Sequence, residues 1–282
     1  MRFLFRGSSY PRTLSLMDLK IYILFWQAFL AGLALGAASG PVGVFLILRR
    51  DSLLPHALTH VAFTGVALGF LLHGAPLPLT LLVTVLAAFA VMHIREKAGI
   101  YEDTAVGILA GLGLALAVVL ASLARSYDVR LLTYLFGNIL VITPEEAFVA
   151  LGLALLVLLT LARFWEALLF VSFDEESARA SGLRVKLLKL LLAMLTALLV
   201  VIGMRLIGLL LISALMVIPG AAALEVARSF RQSLWFSALF GVLSVAGGLV
   251  LSVLLDLPPS GAIVLFSGFI FLVGFLVRRT VV

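Results

Sequence analysis

The chain has 282 residues, of which 63% are hydrophobic and 12% charged, and its formal net charge is +6. Soluble domains carry about a quarter charged residues, so this composition cannot furnish a solvated surface and its solvent is largely lipid. Cysteine is absent, which excludes disulfides, thiolate metal sites and cysteine nucleophiles, and no basic stripe with interleaved aromatics marks a nucleic-acid surface.

Met1–Leu16 is polar and basic, with Arg2, Arg6 and Arg12. It reads as a disordered leader over residues 1–17. Met17 serves equally well as a start, in which case the leader is untranslated. No secretory signal pattern precedes the first span. A span needs roughly 20 apolar residues. Such runs fall at Ile21–Leu48, His56–Leu72, Leu77–Ile94, Ala105–Leu123 and Ala147–Phe170, and then at Leu187–Gly203, Leu206–Val226, Leu234–Leu255 and Ala262–Val277. The expected fold is all-α, a polytopic membrane domain over residues 18–282 with 8–9 transmembrane helices. The lower count applies if the runs flanking Arg205 form one kinked helix.

Thirteen Lys and Arg residues gather in the loops after the first, third, fifth, seventh and ninth runs, and three (Arg125, Arg130, Arg205) in the opposite loops. The positive-inside rule makes the first set cytoplasmic, with the C-terminus inside and the N-terminus outside. The leader and Lys20 oppose that assignment, a tension that a start at Met17 relieves. Gly32, Gly36, Gly40-Pro41, Gly43, Pro219-Gly220 and Pro258-Pro259 punctuate the spans, as close helix packing and kinks require.

His56 and His60 are the most informative polar pair. Pro55 suits a first helical position, and a four-residue spacing then stacks two imidazoles on one face, about 6 Å apart along the axis. Such a pair can share a divalent ion, or each ring can hydrogen-bond a neighbouring helix. One chain offers no obvious further ligand; two copies about a two-fold axis would supply four.

The stretch Phe173–Val185 is the longest polar insert. Asp174 can cap a short helix whose first turn holds Glu175 and Glu176, followed by Arg179 and a stop at Gly182. By pattern alone it is a solvated connector or a docking helix for a cytoplasmic partner. His73 and His93 fall near span ends and read as interfacial. Asp103-Thr104 reads as an N-cap, Asp256 as a helix terminator at the outer face, Arg205 as a snorkelling side chain, and Arg163 with Glu166 as an ion pair. Asn138 and Glu225 have no reading. No phosphate-binding glycine loop, nucleophile–base set or H-E-x-x-H occurs, so the chain is expected to be neither an enzyme nor an ATP binder.

Several stretches together resemble the permeases of zinc and manganese ABC importers, the ABC-3 group. They are Gly40-Pro41-Val42-Gly43 through Leu53, His56–His60 through Gly65-Val66-Ala67, Glu102–Ile108, Tyr134–Leu140, Asp174–Gly182, Ile207–Leu215, Ile218–Ala222 and Asp256-Leu257-Pro258. The likeness runs in one order from about Asp18 to the C-terminus. It implies a type II ABC importer architecture and a homodimeric permease in the cell (inner) membrane. The partners it implies are a cytoplasmic ATP-binding cassette subunit, an extracytoplasmic metal-binding protein, a second copy of the chain and membrane lipid. Residues 173–185, with Asp174, Glu175, Glu176, Arg179 and Gly182, would then be the coupling helix. No cofactor would be permanently bound; the cargo would be Zn2+, with Mn2+ or iron(II) as alternatives, and His56 and His60 would lie on the metal path. The family's aspartate is replaced here by His56, and imidazole in place of carboxylate shifts preference toward zinc. A secondary transporter driven by an ion gradient is the rival, although such proteins usually carry deep carboxylates and few occur here.

Overall fold

The structure, a computed structural model, describes residues 16–74, 76–98, 102–124, 134–135, 137 and 142–281. Ten helices account for nearly all of these: α1 (Leu16–Leu48), α2 (Leu54–Leu71), α3 (Pro76–Ala98), α4 (Glu102–Leu123), α5 (Pro144–Phe173), the short α6 (Glu175–Ala180), α7 (Val185–Leu206), α8 (Leu209–Val226), α9 (Phe230–Leu255) and α10 (Pro259–Val281). Eight are long and apolar enough to cross a membrane, and α8 is a shorter apolar helix. The all-α polytopic fold is as expected. The single kinked helix around Arg205 is not: the chain breaks at Ile207-Gly208, with Gly208 at φ 104°. That left-handed backbone suits glycine alone. Gly137 (φ 71°) packs its backbone against the same break, leaving no room for a Cβ.

Burial is graded. In α1 and α2, 72% of the apolar window is buried, against 22% in α4, so the first two helices are the axis of the bundle and α4 its rim. Lipid tails are as apolar as Leu, so helices associate through close packing and not through a hydrophobic drive. Glycine supplies the closeness. A Cβ at Gly36 would collide with the Gly241 carbonyl, one at Gly40 with that of Ser237, and one at Gly43 with that of Met216. Gly220 answers from α8 against Val44 and Gly43. Gly107 and Gly111, by contrast, face open space.

Gly43→Ala is therefore expected to cost about 3 kcal/mol, the upper range for overpacking, because the obstacle is backbone and cannot rotate away. Gly107→Ala should be neutral or slightly stabilising. Thermal unfolding of the two purified variants checks the contrast, and equal melting temperatures would refute it.

The basic loops share one end. Arg49, Arg95, Arg179, Lys186 and Lys189 line one cavity there. Phe230, beside Arg231, packs edge-on to Phe45 and stacks on Trp165, so the α8–α9 loop sits at the same end. Arg205 lies at the other, with Glu146 and Leu77.

Candidate metal path and cytoplasmic docking helix

The α1–α2 turn is fixed by charge. Asp51 is buried and accepts a 2.7 Å hydrogen bond from Arg95 Nη1 at the end of α3, while Arg49 Nη2 lies 3.4 Å from its other oxygen. All three side chains are at least 93% buried. A buried carboxylate between two guanidiniums is costly to desolvate and costlier to break, so it pins the start of α2. Pro55 follows inside the first turn, at the second helical position and not the first as expected.

His56 and His60 stand on that pinned turn. Their Nε2 atoms are 3.2 Å apart and their rings nearly perpendicular, at 85°. Two imidazoles on a tetrahedral zinc, with Zn–N near 2.0–2.1 Å, place their nitrogens about 3.3 Å apart. The free pair thus already holds nearly the separation that a shared ion needs. With neutral rings, one Nε2–H can donate to the other ring's lone pair, and binding a cation through both Nε2 atoms would require that proton to move to the Nδ1 of its own ring. His56 is exposed and His60 half-buried on a helix otherwise mostly buried. His60 Nδ1 is buried with no partner among the described residues. No group of three or more His, Asp or Glu that could surround a metal occurs among them either, so these two imidazoles are the candidate donors that the described residues bring together here. With 1.5 Å of rise per residue, the pair lies within about 10 Å of the basic end of α2.

At the same end, Asp174 caps α6: its carboxylate accepts from Ser177 N at 3.0 Å and from the Ser177 hydroxyl. Those two bonds hold its pKa below the usual carboxylate range. Gly182, at φ 86°, closes the helix as expected. Glu175 bonds Arg179 one turn on (2.9 Å) and pairs with Lys189 of α7. Ala178 is the one α6 residue turned into the bundle; Glu176 is exposed. Because the folded carboxyl has the lower pKa, the Asp174 cap contributes above the unfolded carboxyl pKa and is lost as pH falls through the folded one. Asp174→Ala should abolish that acid-dependent change, read as hydrogen exchange at the Ser177 amide; an unchanged pH profile would refute the assignment.

Other expectations are corrected. Arg205 does not merely snorkel; it pairs with Glu146, itself part of a Thr143–Glu146 capping box. That box was legible as Thr-Pro-Glu-Glu before an apolar run. Arg163 and Glu166 do not pair; the Arg163 guanidinium lies over the adjacent Phe164 ring, 5.4 Å from its centroid. Helix α4 starts at Glu102, so Asp103 occupies its first turn and is not the cap. Asp256 does end α9, in the left-handed conformation. Glu225 accepts from Arg278 at 2.7 Å. His73 and His93 are exposed near helix ends; Asn138 and the 1–15 part of the leader lie outside the described residues.

Fold and site together define a multi-pass helical membrane protein, with paired imidazoles on a central helix and a short capped helix at its basic end. The chain belongs to the ABC 3 transport family, whose profile matches residues 21–278. It is 32% identical over 260 residues to the high-affinity zinc uptake system membrane protein ZnuB of Haemophilus influenzae, covering 92% of this chain and 99% of that one. It is 34% identical over 251 residues to the manganese import system permease protein ScaB of Streptococcus gordonii, covering 89% and 90%. Among solved structures, PsaBC from Streptococcus pneumoniae, in complex with Fab, matches at 32% identity and a TM-score of 0.81, covering 92% of this chain and 94% of that one.

Proposed function

We propose that this chain is the membrane-spanning permease subunit of an ATP-driven importer of divalent metal, with zinc as the preferred cargo. The observation that carries the reading is the His56–His60 pair, two nitrogens 3.2 Å apart on a half-open strip of a buried helix. Two donors grip a cation weakly enough to release it, as a path requires; a second copy of the chain, related by a two-fold axis, would bring the set to four. Transport proceeds by alternating access. A cytoplasmic ATP-binding cassette subunit docks on α6, with Asp174, Glu175, Glu176, Arg179 and Gly182 as the coupling segment, and an extracytoplasmic binding protein delivers the metal. Hydrolysis belongs to the ATPase subunit.

The zinc relative and the imidazole at position 56 support zinc, since imidazole suits zinc and carboxylate suits manganese. The manganese relative, slightly more identical, favours manganese as the second reading.

The test is uptake by the full-length permease reconstituted with its ATPase and binding protein. ATP-dependent zinc accumulation, only weakly competed by manganese, is the expected result. Uptake that persists on an ion gradient without the ATPase would move the protein to secondary transport, and no uptake of any divalent metal by the complete complex would defeat the reading.

A further inference from the structure

The cavity at the basic end holds about 350 Å³ and opens between the end of α3, α6 and the start of α7. Among the described residues, Arg49, Arg95, Arg179, Lys186 and Lys189 line it together with Glu175, and Met92 forms an apolar wall. Asp51 lies buried behind Arg49 and Arg95, and among these named groups the cations outnumber the carboxylates. Like charges gathered in partly desolvated space repel, and an anion entering the cavity relieves that repulsion. Guanidinium and ammonium groups together match a phosphate: forked donors for its oxygens and compact charges beside them.

The position of the cavity selects the carrier of that phosphate. It sits at the ends of two spans, α3 and α7, which pack on each other. Helix α3 leaves Leu82, Leu86 and Phe89 exposed, and Phe89, three residues before Met92, shares the cavity's side of the helix. A ligand with a phosphate head and apolar tails satisfies both surfaces, whereas a free phosphate satisfies only the first. Basic pockets between spans on the cytoplasmic side are where anionic headgroups bind.

We infer that this cavity is a binding site for an anionic glycerophospholipid of the cytoplasmic leaflet, its phosphate held among Arg179, Lys186 and Lys189 and its tails laid along α3. Glu175 and Arg179 come from α6, so an occupied cavity braces that helix against the ends of α3 and α7. The inference does not depend on the transport reading, because lipid binding is measured on the permease alone.

The test uses the full chain in detergent, with lipid occupancy read by native mass spectrometry against phosphatidylglycerol, phosphatidylcholine and inorganic phosphate. The expected result is at least about a tenfold preference for phosphatidylglycerol over phosphatidylcholine, and little displacement by millimolar phosphate. That preference should be lost in Lys186→Gln/Lys189→Gln, at about fivefold per cation removed, and kept in Arg205→Gln at the opposite end. Arg179→Gln, on the exposed side of α6, gives a second reading if the double variant fails to fold, and should lower the preference about fivefold. Equal binding of the two lipids, full displacement by phosphate, or an undiminished preference in Arg179→Gln or a folded double variant would overturn the site.

Discussion

Asp51→Ala should lower the stability of the purified protein by roughly 3–5 kcal/mol, the cost of stranding buried charge. The carboxylate sits between Arg49 and Arg95, and all three side chains are nearly sealed from solvent. Removing it leaves two guanidiniums side by side with their common counter-ion gone. The loss should be concentrated at the start of α2, because the same turn places Leu54 and Pro55. A second variant separates charge from space: replacing Asp51, Arg49 and Arg95 together with leucine should recover much of the loss, as apolar substitutes for buried ion clusters often do. Thermal unfolding in detergent reads both. An Asp51→Ala protein that melts with the parent would show that the cluster is not the fastening described above.

The largest functional effect is expected at the histidines. His56→Ala/His60→Ala should abolish metal uptake by the reconstituted complex, a loss beyond the roughly 10–100-fold that outer-shell changes cost at metal sites. Expression and melting should be little changed, since His56 is exposed and His60 makes no buried bond beyond its contact with His56. His56→Asp sets a carboxylate beside the His60 imidazole, the pairing that the family resemblance implies. It should keep transport and shift competition toward manganese, the harder ion. Uptake by the double alanine variant at the parent rate would remove the pair from the path.

Much of this was legible in the chain. The apolar runs located nine helices, because in lipid a span must satisfy its own backbone and so announces itself by length. Asp174 and Gly182 marked α6 because caps and left-handed stops are local chemistry, decided within a turn. The histidine pair was legible for the same reason: four residues on a helix is a fixed distance. What failed were pairings across the fold. Arg163 and Glu166 were paired by proximity in sequence, yet the guanidinium lies on an adjacent ring. Arg205 looked solitary until α5 brought Glu146 to it, and Glu225 had no reading until α10 delivered Arg278 across 53 residues.

The chain by itself therefore determined a polytopic helical membrane protein, its short capped helix and its two adjacent imidazoles. Tertiary structure alone decided that Asp51 is locked by a residue 44 positions away, that the chain breaks at Gly208, that particular glycines carry helix crossings, and that cations from separate segments surround one cavity. The division has one cause. Helical periodicity and capping act over a few residues and are written in the order of the sequence, whereas charges meet across a bundle only after backbones have packed, and nothing in their spacing records the partner.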